Sequence, residues 1–414
     1  MANTLKFIDM VANEALKYAH EKPVFIGTVD RQYDDYYAKQ GGGKIGSTLR
    51  VKSPRMFQST RGRSLVTSDI EDVTQTITLA TQDHVGIVLN SKEMTLDTTS
   101  PREVDRFSRE TVQPMMSALT SRIESDFIAF ATKATAQVAG TAGTAITDST
   151  APGQARTFLN QSLAPHDKRI AMTNSKTMAQ MVAGRDSFFN PSAEISNQYK
   201  EGMVGRNAMA DWYENEKMWT LANGSDVTTS TAADAKVVHG TGGLNFAATT
   251  AAQAAIGGVF TIAGVYDCHP ETKAAYANPK QFTLVSGGAT SGDSVVSPAI
   301  YLTGARRNVG SATGAELTAA DFNAQVMTWV GSASTSYVQS LMYHPQAFQF
   351  VTADLEPISE NPNEFTRKSF DGLSLSVAIM GDIRNYERIM RIDILYGFAA
   401  LRPEWAVRMI GSAN

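Results

Sequence analysis

Anionic side chains are absent from Gly41–Ser68, a stretch of 28 residues that holds six cations, Lys44, Arg50, Lys52, Arg55, Arg61 and Arg63. The reverse poverty occurs at Val237–Tyr266, which has no Asp, Glu, Lys or Arg at all. Cysteine is represented once, by Cys268, so no internal disulfide forms and nothing relies on an oxidising compartment. No apolar run approaches the roughly 20 residues that span a bilayer. Met1–His20 alternates charged and apolar residues and lacks a signal-peptide core, which points to a cytosolic product without a membrane partner.

Catalytic and metal signatures are equally scarce. There is no GxSxG nucleophile elbow and no phosphate-cradling GxxxxGK[ST]. The six histidines are scattered, without a pair at metal-ligand spacing. Cys268 and His269 are neighbours, but adjacent residues on a strand face opposite ways. Gly41, Gly43 and Gly46 match GxGxxG literally, yet a polar Asp34–Gln40 precedes them and a strand-like Thr48–Lys52 follows. A dinucleotide fold needs an apolar strand before those glycines and a helix straight after them. These readings leave no catalytic, cofactor-binding or metal residue to nominate.

What is present is a chain of 414 residues, 43% hydrophobic and 19% charged, with a net charge of −4. That length accommodates two or three domains with a large core. Leu5–Ala19 carries apolar residues at helical spacing. Ile45–Val51 and Leu65–Thr67 are expected to pair as strands, and Val73–Leu89 to fold as a β-hairpin around Thr81-Gln82-Asp83. Ser100, Pro101 and Glu103 form a helix-start signal, and an apolar stripe then runs to Ala134, with Pro114 expected to kink it. A linker at Gly140–Gly153 leads to a helix at Arg156–Leu163, a strand at Lys168–Met172 and a helix from Asn174 to Ala183. Asn223–Phe322 is rich in Gly, Ala, Thr and Ser, with short strands expected at Val259–Ala263, Gln281–Val285 and Val295–Tyr301, which marks a separate β-rich insert. Strands return at Tyr337–Tyr343, Leu373–Ile379 and Ile389–Ile394. Trp212, Trp219, Trp329 and Trp405 read as core or interface anchors.

A concentrated positive charge calls for a partner of opposite sign. Nucleic acid is one option, but a net-acidic chain argues against a dedicated nucleic-acid binder. The chain supplies a complement of its own in Asp354, Glu356, Glu360 and Glu364. If the basic loop of one copy lies over the acidic loop of the next, the contact is head-to-tail and builds rings or extended lattices. Arg50, Arg55, Arg61 and Arg63 on one side, and those four acids on the other, are the candidate intersubunit contacts.

Val351–Leu355, Ser369–Leu375, Arg391–Gly397 and Arg402-Pro403-Glu404, with Gly258–Tyr266 and Ser297–Tyr301 in the insert, resemble the coat proteins of short-tailed bacteriophages. These are tailed-phage major capsid proteins of the Hong Kong 97 type, in the subgroup with an inserted β-barrel. The resemblance implies an α+β fold with an N-terminal arm (1–40), an extended β-loop (41–90), a spine helix and peripheral domain (91–149), an axial domain (150–224, returning at 323–371), the insert (225–322) and peripheral strands (372–414). It implies no catalytic residue and no cofactor. The expected function is self-assembly into pentamers and hexamers of an icosahedral head around a scaffolding protein. A portal protein sits at one vertex and packaged genomic DNA on the inner face, without sequence specificity. Assembly is expected in the host cytoplasm and residence in the virion. The chain starts at the arm helix, without the cleaved scaffolding region of some relatives, so the scaffold is expected to be a separate protein. The alternatives are a surface-layer or adhesive protein and, last, a hydrolase using Asp354 and Glu356.

Overall fold

The structure, a computed structural model, describes residues 11–17, 24–31, 48–59, 61–64, 67, 71–90, 108–184, 206–224, 228–247, 255–287, 292–356, 361, 364–370, 373–385 and 387–413. The start signal at Ser100–Glu103, the glycines at 41, 43 and 46, Leu65-Val66 and most of Leu5–Ala19 lie outside these residues; within the last, 11–17 are helical. The chain divides into two units. The first comprises 1–51, 75–127 and 348–399, and the second 52–74, 128–347 and 400–414.

The first unit is built on a five-stranded sheet. Glu387–Ala400 is its long central strand, flanked by Leu373–Asp382, Phe348–Ala353 and Thr81–Asn90, with Phe365–Phe370 beyond. Its aromatic core joins Phe127, at an edge-to-face 4.8 Å from Phe25 and stacked at 5.2 Å on Phe398. The hairpin expected over Val73–Leu89 does not form. Thr74–Thr78 pairs instead with Thr48–Lys52, and Thr81–Asn90 pairs with Glu387–Tyr396 some 300 residues away. Alternation identifies a strand but carries no information on which distant strand completes its ladder.

The long helix Gln113–Ala134 follows a π-helical turn at Ser108–Val112. Pro114 lies directly after that π-helical turn, in the first turn of the α-segment, where the regular α-ladder is already interrupted.

The second unit contains two sheets. One is mixed, in the order Val138–Ala139, Ala406–Ala413, Ser336–Tyr343, Arg169–Thr173, Ala210–Glu214, Arg206–Asn207. The helices Thr150–Gln161 and Ser175–Ala183 supply Ala155, Leu159, Met178 and Met181 to the same buried cluster as Ala171, Met342 and Met409 from this sheet. Asn174 caps the second helix by accepting the Thr177 N–H at 3.1 Å. Ala406–Ala413, placed with the peripheral strands of 372–414, pairs with Ser336–Tyr343. Phe348–Ala353 and Phe365–Phe370, placed with the 323–371 return, join the first unit's sheet.

The other sheet of the second unit is antiparallel and has the order Thr241–Phe246, Gly292–Ile300, Ala275–Ser286, Val259–Cys268, Val326–Trp329, Thr228–Ser230. A bridge between Thr231 and Phe246 joins its two edges, so the sheet closes into a barrel. Phe246, Phe260, Phe282, Leu284, Met327 and Trp329 fill it. The composition shift ended at Phe322, but the barrel needs Val326–Trp329, whose ordinary apolar sequence gave no sign of belonging to it. Entry and exit are adjacent: the Asn223 amide donates to the carbonyls of Val330 and Ser332 at 3.0 and 3.1 Å.

Two devices fasten the barrel to the rest of the second unit. Gln281 on a barrel strand accepts the Val138 N–H at 2.7 Å and donates to the Val138 carbonyl at 3.3 Å, as a strand neighbour would. Arg408, fully buried, donates through Nε to Thr135 O at 2.7 Å, through Nη1 to Gly257 O at 2.6 Å, and through Nη2 to Lys133 O at 3.2 Å and Thr283 Oγ1 at 2.9 Å. The first and third acceptors lie at the C-terminal end of the long helix, where carbonyls lack intrahelical partners and the helix dipole favours a cation. Gly257, at φ +90°, permits the approach, since a Cβ there would meet Lys133 Cγ and the Trp219 ring at 2.8 Å.

Candidate assembly interface

The basic stretch emerges from the two-stranded ribbon of Thr48–Lys52 and Thr74–Thr78, and the last backbone bond between its two sides among the described residues is Ser53 N–H to Val73 O at 2.9 Å. Just beyond, Arg55 grips Asp72 with a two-pronged contact, Nε to Oδ1 at 2.8 Å and Nη2 to Oδ2 at 3.2 Å. Lys52 adds its ammonium to the same carboxylate at 3.6 Å. The Arg55 hydrogen bonds hold the Asp72 carboxyl below the usual carboxylate range and raise the guanidinium in turn.

Two more contacts secure this neck. Arg306 Nη2 donates to Pro54 O at 2.7 Å. His239 Nδ1 accepts the Leu302 N–H at 3.2 Å, which leaves Nε2 as the protonated nitrogen that donates to Glu71 Oε1 at 3.1 Å.

Three further cations of the stretch lie among the described residues. Arg50, Arg61 and Arg63 are exposed and have no ion-pair or hydrogen-bond partner among the described residues. Next to Arg55 the chain also exposes Phe57, 66% accessible, and Met56, 42%. Large exposed apolar side chains in the same loop as exposed arginines match the composition of an interface. A second apolar display occurs in the first unit, where Met380, Ile389 and Val88 lie in register across three strands and are exposed.

The acidic run is placed in the first unit, whereas Arg55, Arg61 and Arg63 belong to the second. Asp354 follows the strand Phe348–Ala353 and accepts a hydrogen bond from the Ser374 hydroxyl. Glu356 is exposed, and Glu364 accepts the Asn361 amide at 3.2 Å. Glu360 is outside the described residues. Of the eight nominated residues, the structure gives an ionic partner within the chain to Arg55, and that partner is Asp72 rather than an acid of the run.

Asp72 had a signal in the sequence, because Asp69, Glu71 and Asp72 follow within a few residues of the cation-only stretch. His239 and Arg306 had none, since they are brought to the neck from more than 160 residues away.

Other nominated features have structural explanations. His269 Nδ1 accepts the N–H groups of Glu271 and Thr272 at 3.1 and 3.2 Å and so closes a turn, while Cys268 is buried. Trp212 donates to Asn207 O, Trp405 to Ser162 O, Trp219 lies 5.3 Å beneath the Lys133 ammonium, and Trp329 packs in the barrel. Among the described residues no group of three or more His, Cys, Asp or Glu is poised to hold a metal, and no helix is long and apolar enough to cross a membrane.

A family model described as P22 coat protein, gene protein 5, matches residues 1–411. No curated protein matches the chain. Among solved structures, one from Mycobacterium phage Che8 is similar at 11% identity and a TM-score of 0.48, covering 94% of this chain and 91% of that one. The capsid of cyanophage P-SCSP1u aligns at 11% identity and a TM-score of 0.45, with coverage of 93% and 89%. A virus-like particle from Pyrococcus furiosus aligns at 7% identity and a TM-score of 0.43, over 98% and 100%. Family membership rests on the first of these matches.

Proposed function

The chain belongs to the P22 coat protein family and is a major capsid protein of a phage head shell, and from that premise we propose how its copies hold one another. It is a structural protein that self-assembles and resides in the virion, which leaves the surface-layer and hydrolase readings without support. In the reading advanced here, copies join as pentamers and hexamers, and the tip of the extended loop of one copy grips the next. Arg50, Arg61 and Arg63 supply the positive side of the grip. Asp354, Glu356, Glu360 and Glu364 of the neighbouring copy supply the negative side.

The observation that carries this reading is the division of labour within the basic stretch. Lys52 and Arg55 are engaged by Asp72 at the neck, while Arg50, Arg61 and Arg63 are exposed and have no ionic partner among the described residues, and Phe57 in the same loop is exposed as well. Exposed charges at such a boundary steer encounter and select orientation more than they add affinity, and the apolar side chains contribute the burial. Arg55, nominated with the others, belongs to the internal brace in this reading. A separate scaffolding protein, a portal protein at one vertex and unspecific contact of the inner face with packaged DNA complete the partners. Assembly takes place in the host cytoplasm.

Reversing Arg50, Arg61 and Arg63 to Glu tests the grip. The variant is expected to fold as the wild type by circular dichroism and to form no shells by electron microscopy in the presence of scaffold. Combining it with Glu356→Lys and Glu364→Lys should restore part of the yield. Normal shells from the arginine variant at physiological salt would overturn the reading.

A further inference from the structure

The barrel takes hold of the extended loop of its own chain, and it does so at one place. The ribbon opens after the Ser53–Val73 bond, and each side of the opening is met within two residues by a barrel side chain. On one side Arg306 binds the Pro54 carbonyl at 2.7 Å, and on the other His239 binds Glu71 at 3.1 Å. His239 is itself fixed, by the Leu302 N–H at 3.2 Å and by the edge-on Tyr301 ring at 5.5 Å. Between the two attachment points Arg55 and Asp72 tie the sides of the neck to each other. Residues 52–74 accordingly belong to the same unit as the barrel, while the ribbon strands on either side of them belong to the other unit.

Two attachment points do what one cannot. A single hydrogen bond leaves the loop free to swivel about it, whereas bonds to both sides of a braced neck define the direction in which the tip leaves. A tip held in its binding direction loses less conformational freedom when it meets a partner, and that lowers the cost of association.

We propose that the barrel is an intrachain gauge for the extended loop: through Arg306 on Pro54 and His239 on Glu71 it sets the direction of the tip that reaches the neighbouring copy. This rests on the reading of the tip as the intersubunit grip. It gives the barrel a part in selecting shell geometry, distinct from any contact the barrel makes outside its own chain.

The test uses the full-length protein carrying Glu71→Ala with Arg306→Ala. Glu71 and Arg306 are partly buried but lie outside the barrel core, and both changes leave the His239–Leu302 bond in place. Hydrogen exchange of the monomer should accelerate about tenfold or more at Ser53–Val73 and stay unchanged at Val259–Cys268 and Ala275–Ser286. Assembly with scaffold should then slow by about tenfold, or give particles of mixed size on electron micrographs. Unchanged exchange at the neck would overturn the gauge, and so would accelerated exchange with shells of normal rate and size. Arg61→Glu with Arg63→Glu, measured in parallel, separates the two ideas. If this pair blocks assembly while the neck variant assembles normally, the gauge alone fails. If both assemble normally, the grip reading fails with it.

Discussion

Arg408 is a buried cation that no carboxylate meets among the described residues; its acceptors are three carbonyls and one hydroxyl. Burial pushes its pKa down to about 9, so it stays charged at neutral pH. Truncation would strand the Thr135 and Gly257 carbonyls in a dry junction, while Lys133 O keeps the Thr283 hydroxyl at 3.1 Å, so Arg408→Met should destabilise the second unit by about 3–5 kcal/mol in urea unfolding. Arg408→Lys should recover only a small part, because one ammonium cannot reach acceptors spread around a planar fork. His344 offers a different residue-scale test. Burial lowers its pKa below the ordinary imidazole value, against the opposing pull of Asp167 at 4.0 Å. The unfolded chain therefore binds the proton more readily than the native one. Stability should decline as the pH falls below about 6.5 and level off beneath the folded pKa. His344→Gln should flatten that part of a thermal-melt profile, and an unchanged slope would remove His344 from the cause.

Among elements, the helix Ser175–Ala183 shows how far local chemistry reaches. Its N-cap and its last residue were legible from Asn174 and Gly184, because a side-chain cap is a contact between near neighbours. Asn174→Ala should cost about 1 kcal/mol in thermal unfolding. Three of the barrel strands were legible as short strands between glycine-rich turns, at Val259–Ala263, Gln281–Val285 and Val295–Tyr301. Their partners were not. Thr81–Asn90 looked like half of a hairpin and is a neighbour of Glu387–Ala400, and Val326–Trp329 looked like ordinary chain and closes the barrel. Gln281 makes the point from a single side chain, since nothing in the sequence marks it as the mimic of a strand beside Val138. Gln281→Leu should leave both Val138 backbone groups unpaired and cost about 1–3 kcal/mol, measured as faster exchange of the Val138 amide.

At the scale of the whole molecule, the adjacent ends at Asn223 and Val330 make the barrel an excisable unit, provided the cut respects its last strand. Replacing 225–330 with a short glycine linker should leave a soluble chain whose neck exchanges freely and whose shells are absent or irregular. Cutting at 322 instead would orphan Val326–Trp329 and should aggregate, which light scattering would register. The sequence by itself determined that the catalytic and metal motifs sought in it are missing. It also determined that the chain carries a cation-only loop, a long helix and a charge-free β-rich region, because composition and periodicity are local properties. Only the tertiary structure decided which cations find an ionic partner within the chain. Asp72 neutralises Lys52 and Arg55 across a neck that Arg306 and His239 hold from a distant part of the chain. A charge is spent or free according to what lies within a few ångströms of it, and that distance is set by the fold.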